Sequence, residues 1–181
     1  MRYLICFILC IQFFAEAKKT VTSAEVKQRI KNIDSKSKKA PQDYFDLARN
    51  YLLIKDYESA IKHARQGNTP QSVEGLELIA KISHEKQDHL EEVRALEIIK
   101  TMGKQTPGFF VRLGNAYSEI NKTDEVIKNF RQALADAPKY EKAYEALYQF
   151  YLSKKNTYDA RLILLEIIEK FGEKPKWLNE M

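Results

Sequence analysis

A spaced signature of an aromatic residue, a leucine, a small residue and a tyrosine constrains the fold more than any other feature of this sequence. In its most complete copy, Phe110 is followed by Leu113, Gly114 and Tyr117. The signature recurs at an interval of about 34 residues, which is typical of stacked helix–turn–helix units. Each such unit is too small to bury its own apolar face, so neighbouring units must share one core. The sequence therefore predicts an all-α solenoid with a curved surface open to partners.

Four copies of this pattern account for residues 41–174. Their second helices carry small or apolar anchor residues at spacings of 33, 33 and 34 residues, namely Ala60, Val93, Val126 and Ala160. The second copy is degenerate. Because Val93 follows its first helix one residue later than expected, we place a one-residue insertion near Gln87 and Asp88. The pattern predicts one helix pair in each of the segments 41–72, 73–106, 107–140 and 141–174.

Residues 1–17 have the order of a secretory signal peptide: the basic Arg2, an apolar run interrupted only by Gln12, and small residues at Ala15 and Ala17. The apolar run is about half of the roughly 20 residues needed to span a bilayer, so we expect no stable membrane span. The alternative is that this segment is buried in the fold. Both cysteines of the chain lie within it. A cleaved chain would have no thiol, which suits a periplasmic or secreted protein without disulfides.

We predict cleavage after Ala17, because the charged, apolar and small-residue regions occur in the order that a signal peptidase recognises. Sequencing the N-terminus of the exported protein should therefore give Lys18 as the first residue. A mature chain that begins at Met1 or at a lipidated cysteine would contradict this prediction.

Residues 18–40 are expected to form one helix and a linker. Thr22 and Glu25 have the spacing of a capping box. Apolar residues then follow at helical intervals, which predicts a helix from about Ser23 to Asp34. The segment 35–40 is basic and polar, and we interpret it as a solvated loop.

The repeated residues resemble the tetratricopeptide repeat family over roughly three quarters of the chain. The resemblance is most specific in the third copy and weakest in the second. It implies a right-handed superhelical solenoid of about four helix pairs, preceded here by the N-terminal helix. In that family a small residue lets the two helices of a pair pack closely; the corresponding residues here are Ala48, Ala80 and Gly114. Tyr148 occupies this position in the fourth copy, which predicts looser packing of that pair.

The resemblance also implies a concave groove lined by one side of each first helix. One groove position recurs in the four copies as Arg49, Lys81, Asn115 and Gln149. All four side chains can donate hydrogen bonds, and such a ladder suits an extended peptide backbone or a C-terminal carboxylate. Arg112 and Lys142 occupy neighbouring groove positions. The alternative is that these residues are ordinary exposed polar side chains. The family's carboxylate clamp is incomplete, since Phe45 and Leu78 stand where it has lysine and asparagine.

Composition and motifs argue against several other functions. The sequence has 30 basic and 25 acidic residues, for a net charge of +5. Its basic residues are not clustered on one helix, so nucleic acid is not expected as a partner. The sequence contains no glycine-rich phosphate loop and no recognisable catalytic set, so we expect no cofactor and no enzymatic activity. His84 and His89 are five residues apart, which on one helix would turn them about 140° away from each other. We therefore expect no metal site.

A tyrosine stripe and the C-terminal end complete the features that bear on binding. Four tyrosines recur at helical spacing, which we interpret as core packing: Tyr140, Tyr144, Tyr148 and Tyr151. Gly172 is a natural helix stop, and residues 175–181 are too few for a capping helix. Trp177 and Leu178 could cover the last helix pair, or they could mark an open end used for self-association.

The sequence thus favours a periplasmic or secreted scaffold that binds a protein or an extended peptide in its concave groove. The first alternative is a structural component of an envelope or secretion complex that uses its convex face or its open C-terminal end. The second alternative is a small metal-assisted hydrolase. Groove substitutions would distinguish the first two, and metal analysis would test the third.

Overall fold

The computed structural model describes residues 21–69, 71–103 and 105–172. Across these residues the chain forms α-helices joined by short turns, without a strand. The helices are α1 (Ser23–Asp34), α2 (Pro41–Leu53), α3 (Tyr57–Gly67), α4 (Val73–Lys86), α5 (His89–Thr101), α6 (Pro107–Glu119), α7 (Thr123–Asp136), α8 (Glu141–Ser153) and α9 (Thr157–Phe171). The predicted all-α fold, with four helix pairs after an N-terminal helix, is confirmed. The predictions for residues 1–17 and 175–181 lie outside the described residues.

The start of α1 agrees with its sequence signal. Thr22 Oγ1 accepts a hydrogen bond from the Glu25 backbone N–H, and the Glu25 carboxylate accepts one from the Thr22 backbone N–H. This reciprocal pair satisfies two of the N–H groups that the first turn of a helix leaves unpaired. The predicted capping box is therefore confirmed.

The turn inside each helix pair repeats the same backbone conformation. One non-glycine residue with positive φ precedes the second helix in every pair: Lys55, Gln87, Asn121 and Lys155. The next residue caps the second helix, and at Asp56, Asp88 and Asn156 its side chain accepts a hydrogen bond from a first-turn backbone N–H. These equivalent turns give a structural register for comparing the four repeats.

That register contradicts the one-residue insertion expected near Gln87 and Asp88. The fourth residue after the cap is Ala60 in the first pair, Val126 in the third and Ala160 in the fourth. In the second pair this position is Glu92, not Val93. The prediction was wrong because it aligned the apolar Val93 with the anchor position, whereas the structure buries the Glu92 carboxylate there, at 2% exposure.

One hydrophobic core runs through the four helix pairs, from Phe45 in α2 to Ile167 in α9. A smaller cluster attaches α1, where Val26 and Ile30 pack against Leu47 of α2. Each helix also contacts the next one along the chain, as expected for antiparallel neighbours joined by short turns. A continuous core of this kind is what the repeat period predicted.

The predicted small-residue contacts are present. Ala48 and Ala80 are fully buried, and a Cβ added at Gly114 would lie 2.5 Å from Cε1 of Phe130 in α7. In the fourth pair, where Tyr148 replaces the small residue, α8 and α9 make the sparsest contact of the four pairs. Three tyrosines of the predicted stripe are buried: Tyr144, Tyr148 and Tyr151. Tyr140 is the exception, because it is only half-buried at the start of α8.

Candidate binding groove

A gap between the first helices of the second and third pairs forms the candidate binding groove. The first helices α2 and α4 contact each other, and so do α6 and α8. In contrast, α4 and α6 barely approach each other over their described residues. A cavity of about 570 Å³ opens at this gap. Among the described residues, the row of first helices is therefore interrupted at one place, between the second and third pairs.

Four of the six residues predicted to line a groove surround this cavity: Lys81, Arg112, Asn115 and Lys142. They come from α4, α6 and the start of α8, so the tertiary structure assembles them from three helices. Val111, Ala116 and Tyr140 add apolar and aromatic surface to the same wall. The cavity thus combines hydrogen-bond donors with an apolar lining, a combination that is common in ligand-binding pockets.

The ammonium groups of Lys81 and Lys142 are the cations of the groove that are available to a ligand. Both side chains are exposed. Within residues 21–69, 71–103 and 105–172, neither forms an ion pair with a carboxylate. Asn115 is also exposed between them. These three side chains can therefore donate hydrogen bonds to a bound ligand without first breaking an internal ion pair.

Arg112 is held by acidic neighbours. Its Nη1 lies 2.5 Å from Oε2 of Glu77, across the gap on α4, and its Nε lies 4.0 Å from Oε1 of Glu92. The Glu77 pair is partly exposed, so its main effect is to position the guanidinium rather than to stabilise the fold. Arg112 consequently connects α6 to α4 across the gap.

The structure does not bring Arg49 or Gln149 to this cavity. Arg49 forms ion pairs with Asp46, at 2.9 Å, and with Glu74 of α4, at 2.6 Å. Gln149 is exposed on α8 but is not among the residues that surround the cavity. Only Lys81 and Asn115 of the predicted four-residue ladder therefore lie at the same cavity. Arg49 is instead held by carboxylates of α2 and α4, and Gln149 lies away from the cavity.

Two further side chains also line the cavity: His84, which repeat position placed beside the groove, and Glu92, which the sequence did not assign to it. His84 belongs to the last turn of α4, and His89 is the first residue of α5. Their ring centroids are 6.0 Å apart. The expectation that these histidines face away from each other was wrong, because it placed them on one helix, whereas the turn at Gln87 and Asp88 folds the second back against the first.

A tyrosine with a raised pKa, Tyr117, lies outside this groove. Its hydroxyl donates a 2.8 Å hydrogen bond to Oε1 of Glu97, which connects α6 to α5. Burial, followed by this bond to a carboxylate, raises the pKa of Tyr117 well above its ordinary value. The hydroxyl therefore stays protonated as a structural donor, and the shift does not indicate a catalytic base.

The fold and groove define a helical-repeat solenoid of the tetratricopeptide type. The solved structure of MamA is similar to this chain, at 16% identity with a TM-score of 0.65; the match covers 81% of this chain and 86% of MamA. TTC0263, a thermophilic TPR protein of Thermus thermophilus, is similar at 16% identity with a TM-score of 0.54; that match covers 95% of this chain and 93% of TTC0263. The APC/C hetero-tetramer Cut9-Hcn1 matches at 15% identity with a TM-score of 0.56, over 86% of this chain and 32% of that one.

These similarities concern the fold, since all three identities are low. No family model matches the sequence, and no curated protein matches it either. Among the helices of the described ranges, none combines the length and apolar character that a bilayer crossing requires. The chain is thus a tetratricopeptide-like solenoid by structure, recognised through its geometry and its repeat signature.

Proposed function

We propose that this protein is a non-catalytic scaffold that holds an extended peptide segment of a partner protein in the groove between α4 and α6. The single observation that carries the proposal is the cavity of about 570 Å³ at the gap, with the unpaired Lys81 and Lys142 and the exposed Asn115 around it. Solenoids of this type present preformed surfaces to partners. We further propose that it acts in the periplasm or outside the cell, which the predicted signal peptide supports.

The groove chemistry favours a segment with a carboxylate and an apolar side chain. Lys81 and Lys142 offer ammonium groups to acidic side chains or to a C-terminal carboxylate. Asn115 can donate to a backbone carbonyl and accept from a backbone N–H. Tyr140 and Val111 supply surface for an apolar residue. An extended backbone suits this arrangement because its polar groups remain free to bond along the groove.

Binding of fluorescent acidic peptides with free or amidated C-termini tests the proposal. Replacing Lys81, Asn115 and Lys142 together with alanine is expected to weaken peptide binding at least about tenfold, because two charges and one amide are removed from the binding surface. The affinity of the unsubstituted protein should also fall as salt is added, since the lysines are exposed. Fluorescence anisotropy measures both effects, and circular dichroism should show unchanged helicity.

The matched control removes the same charges from the second helices. Lys62, Lys128 and Gln132 are exposed on α3 and α7, and their replacement with alanine should leave binding intact. If this control set abolishes binding while the groove set does not, the groove assignment is wrong.

The better account would then be a structural component of an envelope or secretion complex. Exposed apolar side chains on the last helix pair support that alternative: Leu152, Tyr158, Leu162 and Leu165.

A further inference from the structure

We propose that His84, His89 and Glu92 form a binding site for a divalent first-row transition cation, with Zn²⁺ as the representative ion. One potential ligand atom from each residue lies within 4.8 Å of the others. Two neutral imidazoles and a carboxylate are a ligand set that suits Zn²⁺ and its neighbours in the series, rather than Mg²⁺ or Ca²⁺. The metal ligands are distinct from the donors assigned to the peptide, so Zn²⁺ binding can be measured without a peptide.

The distances within the cluster are close to those between ligands of one tetrahedral ion. Glu92 Oε2 lies 3.1 Å from Nδ1 of His84 and 3.2 Å from Nδ1 of His89. With metal–ligand bonds of about 2.0–2.1 Å, neighbouring ligand atoms around a tetrahedral ion are separated by about 3.3 Å. The three side chains therefore need only small adjustments to bind one cation in place of the hydrogen bonds that they now share.

The position of Glu92 in the repeat gives a second, independent reason. Its equivalents in the other three pairs are Ala60, Val126 and Ala160, all buried in the core. Packing at this position therefore needs only a small or apolar side chain. A buried carboxylate is costly unless it is paired or bound to a metal. A residue that breaks the local packing pattern while converging with two histidines is better explained by ligand binding than by stability.

The cluster is also accessible from the groove. The His84 side chain is 64% exposed, and the His89 side chain is 21% exposed. Both His84 and Glu92 line the cavity between α4 and α6, so a cation held by these residues would be reachable from the groove. Arg112 Nε lies 4.0 Å from Oε1 of Glu92, and the charge of Arg112 is offset by its ion pair with Glu77.

Equilibrium dialysis against Zn²⁺, with protein purified without a polyhistidine tag, tests the site directly. We expect one tightly held Zn²⁺ per chain, and His84→Gln or His89→Gln should weaken its binding at least about 100-fold, because loss of a direct ligand should exceed the roughly 10–100-fold cost of losing an outer partner. Co²⁺ added to the unsubstituted protein should give a visible absorption band that both variants lack. Because His84 is largely exposed, its replacement should leave the helices intact.

His63→Gln is the matched control. His63 is the one histidine of the sequence outside the cluster. It stacks on Tyr51 in another part of the fold, with ring centroids 5.3 Å apart. This variant should bind Zn²⁺ as the unsubstituted protein does. If the unsubstituted protein binds no Zn²⁺, or if His63→Gln loses as much affinity as His84→Gln, the proposal is overturned. In that case the two histidines serve only to satisfy the buried Glu92 carboxylate.

Discussion

Replacement of Phe130 with alanine is expected to lower the free energy of unfolding by about 3–5 kcal/mol, the usual range for an aromatic side chain removed from a core. Phe130 is 1% exposed. Its ring fills the space above Gly114 of α6 and meets the ring of Phe150 edge-on, with centroids 6.4 Å apart. The side chain therefore joins α6 and α7 to α8, and its loss leaves a cavity between the third and fourth repeats.

Urea unfolding followed by circular dichroism measures this loss as a lower midpoint. Hydrogen exchange should localise the effect to α6, α7 and α8, because each repeat of a solenoid contacts mainly its neighbours. Tyr158→Ala provides the control, since Tyr158 is 74% exposed and surface substitutions usually change stability by less than about 0.5 kcal/mol. Equal midpoints for the two variants would show that Phe130 does not carry the contact between these repeats.

Gly114→Leu is expected to destabilise the third repeat by about 1–3 kcal/mol, because it overpacks a helix contact. Even a Cβ at this position would lie 2.5 Å from Cε1 and 2.7 Å from Cδ1 of Phe130. The ring is enclosed, so it cannot swing aside without disturbing α8. The urea midpoint should fall, and Gly103→Leu should not reproduce the effect through crowding, because a Cβ at Gly103 would meet no heavy atom within 4 Å.

Combining Gly114→Leu with Phe130→Ala separates overpacking from a general effect of the substitutions. The two residues touch, so their effects should not add. The leucine side chain can occupy part of the space that the aromatic ring leaves, and the double variant should be more stable than the sum of the two losses predicts. Strict additivity would mean that the two positions do not share a contact.

The helical repeat could be predicted from the sequence because its signals are local and periodic. Leu47, Ile79, Leu113 and Leu147 recur with similar spacing, and each is buried in its first helix. The small residues at Ala48, Ala80 and Gly114 likewise indicated close helix contacts that the structure contains. Such patterns are readable in one sequence, since burying one face of each helix requires apolar residues at helical spacing.

The candidate groove was predicted only in part. Lys81 and Asn115, which repeat position placed in the groove, surround one cavity together with the neighbouring Arg112 and Lys142. Their role in binding stays a prediction. Repeat position could not reveal that Arg49 forms an ion pair with Glu74, because these two residues lie 25 positions apart in the sequence and on different helices. Nor could it reveal the gap between α4 and α6, which depends on how whole repeats pack against each other.

The sequence alone was sufficient for the helical repeat, the pairing of helices and the close contacts at the small residues, because these follow from spacing along one chain. Tertiary structure decided which first helices stand apart to form a groove and which cations remain unpaired there. It also placed Glu92 in the core and brought His84 and His89 to the same carboxylate oxygen. These outcomes depend on turns and interhelical contacts that reverse the chain direction, and no spacing along a single helix encodes them.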